Sequence, residues 1–157
     1  MSSKTPSIDR SSVHEELVQR LAMLKLPEKQ RSLFPTIREL LCFAAMLGYS
    51  ERRRLPLDRP KGVEDLAFQI FERGEAVDII FLIALAETKD SEVLKDGNED
   101  KCALIFEEYA NGGLQILGET MLRGGGEKPD QHILEFLNER EYLPVGNEEP
   151  DVSGINF

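Results

Sequence analysis

Two adjacent glycines, Gly112 and Gly113, interrupt a stretch over 101–122 that otherwise has the pattern of one amphipathic helix. Apolar or small residues fall at 102, 105, 106, 109, 110, 113, 116, 117 and 121, the three-and-four spacing of a buried stripe. Each glycine in a helix interior costs about 1 kcal/mol relative to alanine. Something must offset that cost: a neighbouring backbone that presses close, a bend, or a ligand. The surrounding nonapeptide, Phe106-Glu107-Glu108-Tyr109-Ala110-Asn111-Gly112-Gly113-Leu114, is therefore the place where function is sought first.

A chain of 157 residues with 41% apolar content is expected to form one domain with a real core. Its longest apolar run, 77–86, carries Asp78 and is too short to cross a bilayer, so no membrane contact is expected. The polar start, Met1 to Ser7, lacks the apolar segment of a secretory signal, and a cytoplasmic protein is expected. Cys42 and Cys102 each sit in an apolar helical pattern without CxxC spacing, which points to reduced core thiols.

The net charge of −10 is unevenly spread. Residues 1–61 carry a balance of +5 and residues 62–157 a balance of −15. An evenly acidic protein would repel nucleic acid, but one basic end can dock on phosphates or on an acidic protein surface.

Along the chain, 1–11 reads as a flexible N-terminus, 12–143 as a single helical domain, and 144–157 as an acidic tail, disordered or draped on the surface. Ser12 with Glu15 suggests a capping box before a helix over 13–24. Thr36 with Glu39 suggests a cap for the next helix, which Gly48 is expected to end. Pro56, Pro60 and a cluster of arginines make 51–62 a loop. Helices are expected over 63–73, 76–88, 99–122 and 130–140, with an Asp96-Gly97-Asn98 turn. The fold class expected is all-α, a single-domain bundle of about six helices with a basic Pro/Arg loop.

No recognisable catalytic motif is present. His14 and His132 stand alone without a second ligand at helical spacing. Gly124-Gly125-Gly126-Glu127-Lys128 lacks the spacing and the preceding strand of a phosphate loop. No metal and no cofactor is expected. Glu107 and Glu108 point about 100° apart on a helix, so they cannot share one ion without other elements. Glu107, Tyr109 and Asn111 offer a polar group for a partner; the bland alternative is solvated acids and a core tyrosine. Arg52, Arg53, Arg54, Arg59 and Lys61 concentrate charge in the loop, offset by Glu51 and Asp58. Such a loop grips phosphates, grips an acidic protein, or pairs with this chain's own acidic half.

Three segments together resemble a known family. They are Leu41-Cys42-Phe43-Ala44-Ala45-Met46-Leu47-Gly48-Tyr49, then Arg53-Arg54-Leu55-Pro56-Leu57, then the nonapeptide from Phe106 to Leu114. Over about 12–140 the chain is similar to the DNA phosphorothioation-associated protein 4 family, which accompanies the bacterial Dnd systems. Those systems place sulfur in the DNA backbone and use it in restriction of foreign DNA. The resemblance implies an accessory role beside proteins of a Dnd-type gene cluster and transfers no catalytic residue. The leading expectation is a non-enzymatic interaction protein, contacting a larger cluster protein or a second copy of itself. The alternative is a DNA-binding regulatory module that uses the basic N-terminal part. A minor alternative is a metal-dependent, nuclease-like enzyme built on Glu107, Glu108 and acids brought in by folding.

Overall fold

The computed structural model describes residues 6–26, 30–123 and 128–144. Readings made for 1–5, for Pro27, for the glycines at 124–126 and for the tail from 145 lie outside these residues. The elements in chain order are β1 (Ser7–Ser11), α1 (Glu15–Ala22), α2 (Ile37–Ser50), β2 (Val63–Ala67), α3 (Phe68–Glu72), α4 (Ala76–Thr88), α5 (Glu99–Arg123) and α6 (Pro129–Glu139).

The centre is α5, which packs against α2, α4, α6 and β1. Cys102, Phe106, Leu114 and Leu117 on it have no or almost no exposure, and Ala103, Ile105, Tyr109 and Ile116 are also buried. Apolar residues on more than one side of a helix are the mark of an element enclosed by others. Phe106 meets Phe71 of α3 edge to face, with ring centres 5.6 Å apart. Cys42 and Cys102 are free and buried, as their patterns indicated, and burial raises the Cys42 thiol to about 11.

The Thr36 cap forms as read, its hydroxyl accepting the Glu39 N–H at 3.2 Å. The Ser12 capping box does not. Ser12–His14 forms a short 3₁₀ turn ahead of α1, and Ser11 is the residue whose side chain accepts from the Val13 N–H.

The all-α expectation needs correction. The fold is mostly helical but includes a two-stranded antiparallel sheet, β1 with β2, in the register Ile8 to Leu66 and Asp9 to Asp65. Part of the stretch assigned as a flexible N-terminus, 7–11, is thus structural, and Ile8 is fully buried in the core. Residues 63–67, expected to open a helix, form β2 instead. The sheet's hydrogen bonds run to a segment more than fifty positions away, a pairing no local pattern reports.

Gly48 also needs correction, because α2 continues to Ser50. The helix ends through a Schellman motif. The Arg53 N–H bonds the Gly48 carbonyl at 2.8 Å and the Arg52 N–H bonds the Tyr49 carbonyl at 3.1 Å. Arg52 therefore occupies the left-handed position of the motif, at φ +56°, where glycine is the favoured residue.

Candidate functional site

Glycines 48, 112 and 113 form the crossing of α2 and α5. A Cβ placed on Gly48 would lie 2.1 Å from the Tyr109 carbonyl oxygen. One on Gly113 would lie 1.7 Å from the Ala44 carbonyl oxygen, and one on Gly112 would lie 1.8 Å from that of Arg53. All three obstacles are backbone atoms, which cannot swing aside as a side chain can. The cost of the double glycine is offset by the chain's own α2 and by the residue three places beyond its end. Of the three explanations open at the outset, a close backbone is the one present.

The same nonapeptide holds the Arg-rich loop. The Leu55 N–H bonds the Glu108 carbonyl at 3.0 Å. The Asn111 amide donates to the Leu55 carbonyl at 3.1 Å and to that of Pro56 at 3.4 Å, while its oxygen lies 3.0 Å from Nε2 of His14. Because the Asn111 nitrogen is occupied by carbonyls, the His14 Nε2 carries the proton and donates it. Burial lowers the His14 pKa, against the opposing effect of the Asn111 bond, so the ring sits there neutral.

Glu107 is buried. One oxygen accepts the Asp9 N–H of β1 at 2.9 Å and the other accepts from the Arg59 guanidinium at 3.0 Å. Arg59 also reaches the Asp9 carboxylate at 2.8 Å, so one guanidinium serves two acids. Burial is the main cause that lifts the Glu107 carboxyl to about 7, with the Asp9 N–H and Arg59 pulling it down and the Asp9 charge pushing it up.

Glu108 turns the other way, to Arg54 at 2.8 Å, and Arg54 also bridges to Glu87 of α4 at 3.1 Å. The Arg54 guanidinium stands 5.8 Å over the Tyr109 ring, whose hydroxyl donates to Glu87. Burial and that bond raise the Tyr109 hydroxyl to about 12. Arg53 reaches Gln115 and Glu119 at 3.2 and 3.0 Å, and Lys61 lies 3.5 Å from Asp58. Partly exposed pairs of this kind contribute about 0–1 kcal/mol each. The energetic weight therefore sits in buried Glu107, buried Asn111 and the glycine crossing.

Glu107 and Asn111 share a face, as their spacing implied, and both face the loop. Tyr109 and Glu108 face α4 and Arg54, so the grouping of Glu107, Tyr109 and Asn111 divides between two neighbours. Of the five loop cations, four have acidic partners within the chain. Arg52 is exposed, and among the described residues its side chain has no ion pair or hydrogen bond. Sequence reasoning missed Asp9, His14, Gly48 and Glu87. Only Gly48 carried a signal, a glycine within an apolar helical run, and that signal also fits a helix stop. Among the described residues no group of three or more His, Cys, Asp or Glu is placed to hold a metal ion, and no helix is long and apolar enough to cross a membrane.

No curated protein and no solved structure matches the chain. A family model does, over residues 7–155, and its description is DNA sulphur modification system-associated protein 4. That span includes the strand β1, the Arg-rich loop and the glycine crossing, and the chain belongs to this family of DNA sulphur modification system-associated proteins.

Proposed function

We propose that this chain is a non-enzymatic accessory protein of a DNA sulphur modification and restriction system, and that it works by contacting another protein of the same gene cluster. The observation that carries this reading is Arg52. A residue with a Cβ in the left-handed region costs roughly 1 kcal/mol or more relative to glycine. Arg52 bears that cost while its side chain points outward from a loop whose other cations are neutralised by Asp9, Asp58, Glu87, Glu107, Glu108 and Glu119. Held between the end of α2 and Arg53 by the two hydrogen bonds of the Schellman motif, it presents one positive charge from a fixed backbone, suited to a carboxylate on a partner. A DNA phosphate would be the other anion within its chemistry. One cation without a partner among the described residues, in a loop of otherwise compensated charge, supports a protein contact over a nucleic-acid groove, which needs several phosphates neutralised together.

Arg52→Gly separates contact from folding. The variant is expected to be as stable as the parent or up to about 1 kcal/mol more stable, because glycine suits the left-handed position. Co-purification from cells carrying the whole gene cluster should recover a cluster protein with the parent chain and lose it with Arg52→Gly. Recovery of no cluster member by the parent chain would count against the reading. A salt-sensitive shift of plain or sulfur-modified DNA, abolished in Arg52→Gly, would transfer it to the DNA-binding alternative.

A further inference from the structure

We infer that the outer edge of β2 receives a third strand, an extended basic segment of a partner protein. The ladder shows which backbone groups are open. The Ser12 N–H bonds the Gly62 carbonyl at 3.0 Å and the Phe68 N–H bonds the Pro6 carbonyl at 3.2 Å, just beyond the two ends of the register. The pairs that exchange hydrogen bonds are therefore Ile8 with Leu66 and Arg10 with Glu64, and the pairs between them do not. The Asp9 N–H, turned away from β2, goes to Glu107. By the same alternation the N–H and carbonyl of Val63 and of Asp65 point away from β1, and among the described residues none of the four has a hydrogen-bond partner. Asp65 is exposed. Open donors and acceptors along a strand edge are the template for another strand.

The side chains select the occupant. Asp65 stands directly opposite Asp9, a like-charge pair that weakens a sheet. Asp9 is relieved by Arg59 and by the Ser7 hydroxyl, whereas Asp65 has no cation among the described residues. Glu64 is also exposed and stands opposite Arg10, whose guanidinium goes to Glu15 instead. Lys61, just ahead of the strand, lies beside Asp58. Arg10, Arg59 and Lys61 are thus each taken, and β2 keeps two uncompensated acids, one on each face of the sheet. A second copy of β2 is a poor occupant, since antiparallel pairing centred on Asp65 sets that acid against itself. Nucleic acid is a poor one too, because the acids repel phosphates. A strand carrying lysine or arginine satisfies the open backbone and the acids together. The inference does not rest on the contact at Arg52, which asks for an anion.

Chemical-shift titration of the isotopically labelled full chain tests the inference. The probe is a short peptide of alternating valine and lysine, run beside the same peptide with glutamate in place of lysine. The lysine peptide should bind about 10-fold more tightly. Amide shifts should alternate, large at Val63 and Asp65 and small at Glu64 and Leu66, which already bond β1. Asp65→Lys keeps the outward N–H and should abolish the preference between the peptides. Asp65→Pro removes that N–H, which β1 does not use, and should abolish binding; Asp65→Lys alone decides if the proline variant does not fold. A lysine peptide that fails to bind at millimolar concentration, shifts without the alternation, or equal affinity for both peptides overturns the inference. So does a folded Asp65→Pro variant that binds as the parent does. A dimer of the parent with the same alternating shifts and no peptide overturns it as well, giving the edge to a second copy. In each case the contact at Arg52 stands untouched.

Discussion

Gly113→Ala is expected to destabilise the protein by about 3 kcal/mol or more, against a helix-propensity gain of about 1 kcal/mol. The added Cβ would lie 1.7 Å from the Ala44 carbonyl oxygen and 2.4 Å from its carbon. Relief requires α2 and α5 to separate, which opens the packing of Leu40, Leu41 and Ala44 against Leu114 and Leu117, all of them without exposure in the folded chain. For a chain of this size the loss amounts to a fall of roughly 10 °C in melting temperature. Gly118→Ala, with free space around the new methyl group, should melt at or above the parent temperature. Urea unfolding of the two variants beside the parent provides the check, and equal behaviour of the two would remove the crossing from the account.

Glu107 is expected to make stability depend on pH. Its carboxyl has a pKa of about 7 in the fold against 4.5 as an ordinary glutamate. Between those values the folded chain holds a proton that the unfolded chain has released, so stability falls as pH rises from about 4.5 to 7 and then levels. The full shift corresponds to about 3 kcal/mol. Glu107 borders an open cleft of about 400 Å³, and the water there reduces the effect to about 2 kcal/mol. Above pH 7 the ionised carboxylate pairs with Arg59; below it the neutral acid keeps the Asp9 N–H and loosens its hold on the guanidinium. His14 acts in the opposite direction. Its lowered pKa favours the neutral ring, so its contribution is lost as pH falls through the folded-state value. Glu107→Gln removes only the first effect. The stability difference between parent and variant should therefore change by about 2 kcal/mol across the window, with His14 cancelling. Parallel pH curves for the two proteins would show that Glu107 titrates normally.

Helical periodicity made α4, α5 and α6 legible to within a residue or two, and the Thr36–Glu39 pair marked the start of α2. The sheet was not legible, because β1 has a single large apolar residue, Ile8, and β2 mixes two acids among its five positions. Its stability comes from pairing and from Ile8 entering a core built mostly by helices. At the candidate site, the glycine pair announced that a surface presses close but carried no record of which one. The opposite charges of the loop and the nonapeptide were visible, yet their pairing depends on the α2–α5 crossing that brings them together. Arg52 stood out least in the sequence, as one of three consecutive arginines. Only the path of the backbone after Ser50 distinguishes it.

The nonapeptide on α5 is the seat of the chain's own loop. Native-state hydrogen exchange of the Leu55 amide, bonded to the Glu108 carbonyl at 3.0 Å, tests it most directly. Leu55 is expected to open with a free energy close to that of the buried amides of α5, and Gly113→Ala is expected to lower both together. Rapid exchange at Leu55 while α5 remains protected would contradict it.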